Sequence, residues 1–212
     1  MPAVKRYVIV GLGGRHEMFR DAVLCDFAET SELVALCDRN PARVALSQQR
    51  AQEKTGSEVP GYSGEQFDDM VREHKPDTVI VTTRDREHVD YMCRAMELGC
   101  DVITEKPMTI DAERCRRILE TQKQTGRRIT VSFNYRYAPP RTQVKDLLMQ
   151  GVIGDVLSVE FEWLLNVSHG ADYFRRWHRN KENSGGLMVH KATHHFDLVN
   201  WWLSTVPEAV YA

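Results

Sequence analysis

The run Gly11-Leu12-Gly13-Gly14-Arg15-His16 directly follows the apolar stretch 7–10 and opens a helical pattern, and this placement constrains the fold more than any other feature of the chain. A glycine-rich turn between a strand and a helix lets the backbone approach a pyrophosphate. Gly11 permits the tight turn, Gly13 the close approach, and the first N–H groups of the helix supply partial positive charge. His16 occupies the third position, where Gly or Ala is usual, so the helix is expected slightly farther from its strand.

The surrounding pattern agrees with that placement. Short β-branched runs at 7–10, 33–37, 78–81, 101–104 and 129–133 alternate with helical patterns at 16–29, 41–54, 64–74, 86–98 and 111–125. Near-continuous apolar strands alternating with helices predict a parallel sheet buried on both faces, a doubly wound α/β Rossmann domain over 1–133. After 133 the pattern changes to a loop at 134–140, a helix at 141–150 and an alternating stretch at 156–165. There Leu157, Val159, Phe161, Trp163 and Leu165 share one face of an expected strand. One long strand leaves edges unpaired, so more strands are expected, yet the rest reads as a loop, a helix at 186–203 and a tail. The expectation is a shortened second α+β domain over 134–212, with the unpaired strand as an association site.

Charged residues make up 27% of the 212 and the net charge is -2, which argues against a nucleic-acid footprint. The five cysteines never form a C-x-x-C pair, so neither a disulfide framework nor a zinc ribbon is indicated, and a reducing cytoplasm fits. The apolar run after Lys5 and Arg6 is too short for a secretory leader, and no stretch is long enough for a bilayer span. The polar linker 175–184 reads as a solvated loop or as a lid carrying Arg175, Arg176 and Arg179.

Asp38 ends the second strand about 20 residues beyond the glycine loop, where a carboxylate accepts from ribose hydroxyls. It favours NAD by repelling a 2′-phosphate, whereas Arg39 beside it suits that phosphate or an adenine ring; NAD and NADP both stay open. Glu105-Lys106-Pro107 follows the strand at 101–104, at the sheet edge where open α/β folds bind ligands. On a continuous helix over 186–203, His190, His194, Asp197 and Trp201 fall within an arc of roughly 60°, with Ala192, Phe196, Val199 and Leu203 opposite as the core anchor. Such a face suits catalysis, a metal, or structurally paired histidines. A zinc site lacks a fourth ligand and an H-E-x-x-H base, so no metal is assigned.

Taken together, the glycine loop, Asp38, the segment 83–88, Glu105-Lys106-Pro107, Asn134-Tyr135-Arg136, the stretch 151–155 and Gly185-Gly186 before a histidine helix resemble the Gfo/Idh/MocA family of nicotinamide-dependent oxidoreductases. The resemblance implies a Rossmann domain followed by a domain with a large, mostly antiparallel sheet, used in homo-oligomer contacts. It maps the family lysine, whose bond to proline is sometimes cis, onto Lys106 and the catalytic histidine onto His194. Substrate contacts fall to His190, Asp197 and Arg136. Cofactor contacts fall to Gly11, Gly13, Gly14, Arg15, Asp38, Arg39, Thr83, His88, Glu105 and Asn134. The family's Thr-Pro-Asn-x-x-His segment carries Arg84 and Asp85 here, and His190 stands where the helix usually has Asp. The activity implied is hydride transfer between a sugar, polyol or related hydroxyl compound and NAD(P), with a catalytically silent NAD(P)-binding sensor as the alternative. In the first case an imidazole serves as base and Lys106 stabilises the developing alkoxide.

Overall fold

The computed structural model describes residues 3–211, apart from the side chains of residues 169 and 172. Six parallel strands, β1 (Lys5–Val10), β2 (Ser31–Cys37), β3 (Gly61–Tyr62), β4 (Thr78–Val81), β5 (Asp101–Glu105) and β6 (Ile129–Ser132), form one sheet in the order β3-β2-β1-β4-β5-β6. Residue alternation sorts the apolar strands into two cores. Val8, Val10, Val79 and Val81 pack with Met70, Met92 and Ile118 on one face. Ile9, Leu36 and Ile80 pack with Val23, Val44 and Ala51 on the other. Such two-sided burial explains why these strands read as unbroken apolar runs.

Local signals set the helix ends. Helix α1 (His16–Asp21) passes into a wider π turn over Ala22–Asp26, closed by Phe27 N–H donating to the Ala22 carbonyl at 2.9 Å. Helix α2 (Pro41–Thr55) begins with Asn40 accepting from Ala42 N–H at 3.0 Å. A capping box of Ser63 and Gln66 precedes α3 (Phe67–His74). A turn over Asp85–Glu87 leads into α4 (His88–Glu97), and Asp111 caps α5 (Ala112–Thr125).

Beyond β6 the described residues form helices and turns. They are α6 (Pro139–Met149), α7 (Val167–Arg175), α8 (Lys181–Ser184), α9 (Leu187–His190) and α10 (Thr193–Leu203). Two expectations are corrected here. The stretch 156–165 has no regular secondary structure and pairs with no strand among the described residues, and Leu157 is 95% exposed. Phe161 and Trp163 instead stack on each other at 6.1 Å, and Trp163 stacks on Tyr135 at 5.6 Å. The second correction concerns the helix expected over 186–203, which breaks between α9 and α10. A tighter turn there, with His194 N–H on the Lys191 carbonyl at 3.4 Å, rotates the following residues. Its buried side is therefore His194 and Leu198, while Phe196, assigned to the core, is 60% exposed.

The order of the strands reverses between β1 and β4, and the carboxyl ends of these strands open the cleft described next. Gly185 sets how closely the turn before α9 approaches the Rossmann edge. Its φ is +70°, and a Cβ would lie 2.6 Å from the Ile110 carbonyl oxygen, so only glycine lets the turn into α9 sit this close to the segment after β5.

Candidate active site

A cleft of about 1050 Å³ runs from the glycine loop to α9 and α10. Gly11, Gly13, Gly14, Arg15, Asp38, Arg39, Thr83, His88, Glu105, Lys106, Asn134, His190 and His194 all line it.

At one end, Leu12 N–H donates to Asp38 Oδ2 at 2.6 Å and Asn40 N–H to Oδ1 at 2.8 Å. Asp38 is thereby held at the mouth of the glycine loop. Added Cβ atoms at Gly13 or Gly14 would meet nothing within 4 Å, so the backbone there faces open space that a pyrophosphate can enter. His16, the departure in the third position, is buried and bridges two elements. Its Nδ1 contacts the Gly13 carbonyl and its Nε2 lies 2.9 Å from Ser47 Oγ on α2. A carbonyl only accepts, so Nδ1 carries the proton and Nε2 accepts from the serine. Burial pushes the His16 pKa down, consistent with that neutral ring. Arg39 is largely exposed and reaches Glu87 at 3.5 Å.

The central part rests on the end of β5. Arg15 Nε donates to the buried Glu105 carboxylate at 3.1 Å, and burial raises the Glu105 pKa against the pull of Arg15 and Lys106. The Lys106–Pro107 bond is cis. Lys106 Nζ donates to the His190 carbonyl at 2.8 Å, which ties the Rossmann edge to α9. Burial lowers its pKa to about 8, partly offset by Asp85. His88 lies under the cleft floor, its Nδ1 at 3.0 Å from the Pro107 carbonyl and its Nε2 at 3.3 Å from that of Thr83. Burial pushes its pKa down, so the neutral ring has one N–H to donate and sits between the two loops that carry Thr83 and Lys106.

The far wall is aromatic. His194 is 4% exposed and stacks on Tyr135 with ring centroids 3.9 Å apart. Burial, with Lys106 adding to it, lowers its pKa to about 3. Its Nδ1 has no hydrogen-bond partner among the described residues. His190 Nδ1 meets Asp85 Oδ2 at 2.5 Å. Burial pushes Asp85 up and His190 down, so one proton serves the pair in place of two opposite charges.

Arg136 and Asp197, expected to touch substrate, lie outside the cleft lining and pair with each other, Nε donating to Oδ2 at 2.7 Å and Nη2 to Oδ1. Two parallel bonds of this kind clamp the turn Asn134–Tyr137 to α10. Arg136→Ala is therefore expected to lower stability by about 1 kcal/mol, with NADH affinity nearly unchanged. Urea unfolding and a binding titration on the same variant check both parts.

Sequence reasoning passed over Asp85, Tyr173 and His178. In the sequence Asp85 stands out only as a replacement in a motif, although a carboxylate four residues past the end of a buried strand is signal enough to expect a partner. Tyr173 and His178 come from α7 and the turn after it, in a stretch read as loop, and their rings flank His190 at 5.7 and 4.6 Å. Arg176, one of the proposed lid arginines, lines the cleft.

Residues 5–133 match the family model described as oxidoreductase family, NAD-binding Rossmann fold, and residues 145–212 match the C-terminal alpha/beta domain of the same family. YteT of Bacillus subtilis is 43% identical over 210 residues, covering 99% of this chain and 49% of that protein. An inositol 2-dehydrogenase/D-chiro-inositol 3-dehydrogenase of Lactiplantibacillus plantarum is 26% identical, with 93% and 52% covered. The crystal structure of the WlbA dehydrogenase from Bordetella pertussis in complex with NADH and UDP-GlcNAcA superimposes with a TM-score of 0.75 at 25% identity, covering 94% of this chain and 58% of that one. The chain thus spans about half the length of the curated relatives it matches.

Proposed function

Because the chain belongs to the Gfo/Idh/MocA oxidoreductase family, whose models match residues 5–133 and 145–212, we propose that its cleft binds NAD(H) and transfers hydride to or from a hydroxyl-bearing carbon of a sugar or polyol. One observation carries this reading: the glycine loop, Asp38, Lys106 and the imidazoles of His190 and His194 line a single continuous cleft. The division into a dinucleotide-binding part, 1–133, and a substrate part, 134–212, goes with it. Homo-oligomer formation and a cytoplasmic setting complete the reading; no described helix is long and apolar enough to cross a membrane.

The nicotinamide supplies the hydride acceptor or donor when bound. Gly13 and Gly14 leave room for the pyrophosphate, and Asp38 accepts from the ribose. Lys106, held by its bond to the His190 carbonyl, polarises the reacting hydroxyl and stabilises negative charge as it develops on oxygen. His190 and His194 are the imidazoles available for the proton. Tyr135 stacks behind His194 and keeps water off that wall. The inositol dehydrogenase relative and the NADH-bound structural neighbour support a hydroxylated substrate and a nicotinamide cofactor.

Titration with NADH, followed by fluorescence, is expected to saturate, and oxidised cofactor with a polyol and sugar panel to give reduced nicotinamide. Saturable binding with no exchange across the panel would replace the enzyme with a binding protein. The Asp38 charge opposes a 2′-phosphate, so NADH is expected to bind about tenfold more tightly than NADPH, or ~1.4 kcal/mol. Competitive titration of the two cofactors measures that ratio.

A further inference from the structure

We propose that Asp85 is the positioning carboxylate of His190 and that His190 is the imidazole that exchanges the substrate proton. This rests on the hydride-transfer reading and specifies which side chains serve it.

The geometry distinguishes the two histidines of the cleft. An imidazole that takes a proton in a buried site becomes a cation, and beside another cation it needs a negative charge to do so. Lys106 depresses both rings. His190 has a carboxylate on Nδ1 at 2.5 Å, whereas His194 Nδ1 has no partner among the described residues. Asp85 is 3% exposed and His190 8%, so little water screens their interaction. With Nδ1 committed to Asp85, the ring presents Nε2 as its proton-transfer atom, the arrangement that a carboxylate imposes on a general base.

Asp85 and His190 come from opposite walls. Asp85 opens the turn after β4, and His190 ends α9. The same α9 residue is therefore fixed at two points, its ring by Asp85 and its carbonyl by Lys106 at 2.8 Å. The charged and titratable groups around the pair are Lys106 and His88 facing Asp85, and Lys106, Lys191, His178 and Tyr173 facing His190. In the oxidative direction the substrate O–H bond breaks and its proton passes to His190 Nε2. The C–H bond breaks with its electron pair going to the oxidised nicotinamide, which is reduced, and the carbon is left as a carbonyl.

A double-mutant cycle tests this on a substrate that the wild type turns over. Asp85→Asn keeps the shape and removes the charge; it is expected to lower kcat about 100-fold, with the Kd for NADH changed less than about twofold. Asp85→Glu should recover about tenfold of that loss, which a merely structural contact would not predict. His190→Gln should cost about as much as Asp85→Asn, and the double variant little more than either. The acid limb of the kcat profile, set by a carboxyl raised to about 7 by burial, should disappear in Asp85→Asn. Wild-type kcat in a folded Asp85→Asn variant, or losses that multiply independently, overturn the assignment alone. No hydride exchange in the wild type overturns the enzymatic reading, and the assignment with it.

Discussion

Lys106→Ala is expected to lower kcat by about a thousandfold while leaving NADH affinity within about twofold of wild type. The ammonium sits at the end of β5 with its donor aimed across the cleft, at 2.8 Å from the His190 carbonyl, so its position is set before substrate arrives. A preorganised cation stabilises an oxygen that gains charge in the transition state more than one that is neutral in the ground state, so the loss should fall on kcat rather than on KM. Asp38 and the glycine loop, the proposed cofactor groups, lie elsewhere in the cleft and keep their bonds. Burial also makes this lysine titrate early, at about 8. The protonated form stabilises an alkoxide, so turnover should fall as pH rises through that value, and Lys106→Ala should lose this alkaline limb. Steady-state kinetics over pH, with NADH titrations and melting curves on the same samples, separate a lost charge from a lost fold. Wild-type kcat in Lys106→Ala would remove the lysine from the chemistry.

The first half of the molecule was legible because its local and global signals agree. Strands buried on both faces read as near-continuous apolar runs, as at 79–81, and Asn40, Asp111 and the Ser63–Gln66 box announce their helices in the sequence. The two-residue strand Gly61–Tyr62 was missed because it is too short to show alternation. Past residue 133 the signals become ambiguous. Alternation at 156–165 specifies an extended chain with one apolar face, but a strand also needs a neighbour to accept its hydrogen bonds, and the pattern says nothing of where one lies. In the histidine segment one tight turn at Lys191–Thr193 altered the phase of everything after it, so a helical wheel drawn through the break put Phe196 inside. The candidate site shares this division. Lys106 and the glycine loop follow from strand ends, whereas the Asp85–His190 contact joins residues from two walls of the cleft and needed coordinates.

The second large effect separates what the glycine loop does for the fold from what it does for the cofactor. Gly11 has φ +91°, and a Cβ there would lie 2.5 Å from Thr83 N and 2.7 Å from Thr82 C, both backbone atoms. No rotamer change relieves such a contact. The strand ends on either side are also bonded together, Thr82 N–H to the Val10 carbonyl at 2.9 Å and Thr82 Oγ1 to the Gly11 carbonyl at 2.5 Å. Gly11→Ala must therefore pry β1 from β4 at the point where the cleft opens, and the expected loss is about 4 kcal/mol, at the upper end for a single substitution. Gly13 behaves oppositely. Its added Cβ meets nothing within 4 Å, so Gly13→Ala should shift stability by less than about 1 kcal/mol. The methyl group would instead occupy space into which a pyrophosphate has to fit, and NADH affinity should fall by about tenfold or more, ~1.4 kcal/mol. Chemical denaturation and NADH titration of both variants give four numbers. If Gly13→Ala binds NADH like the wild type, the loop is a structural turn without a phosphate role, and the proposed cofactor site loses its foundation even if Gly11→Ala unfolds as expected.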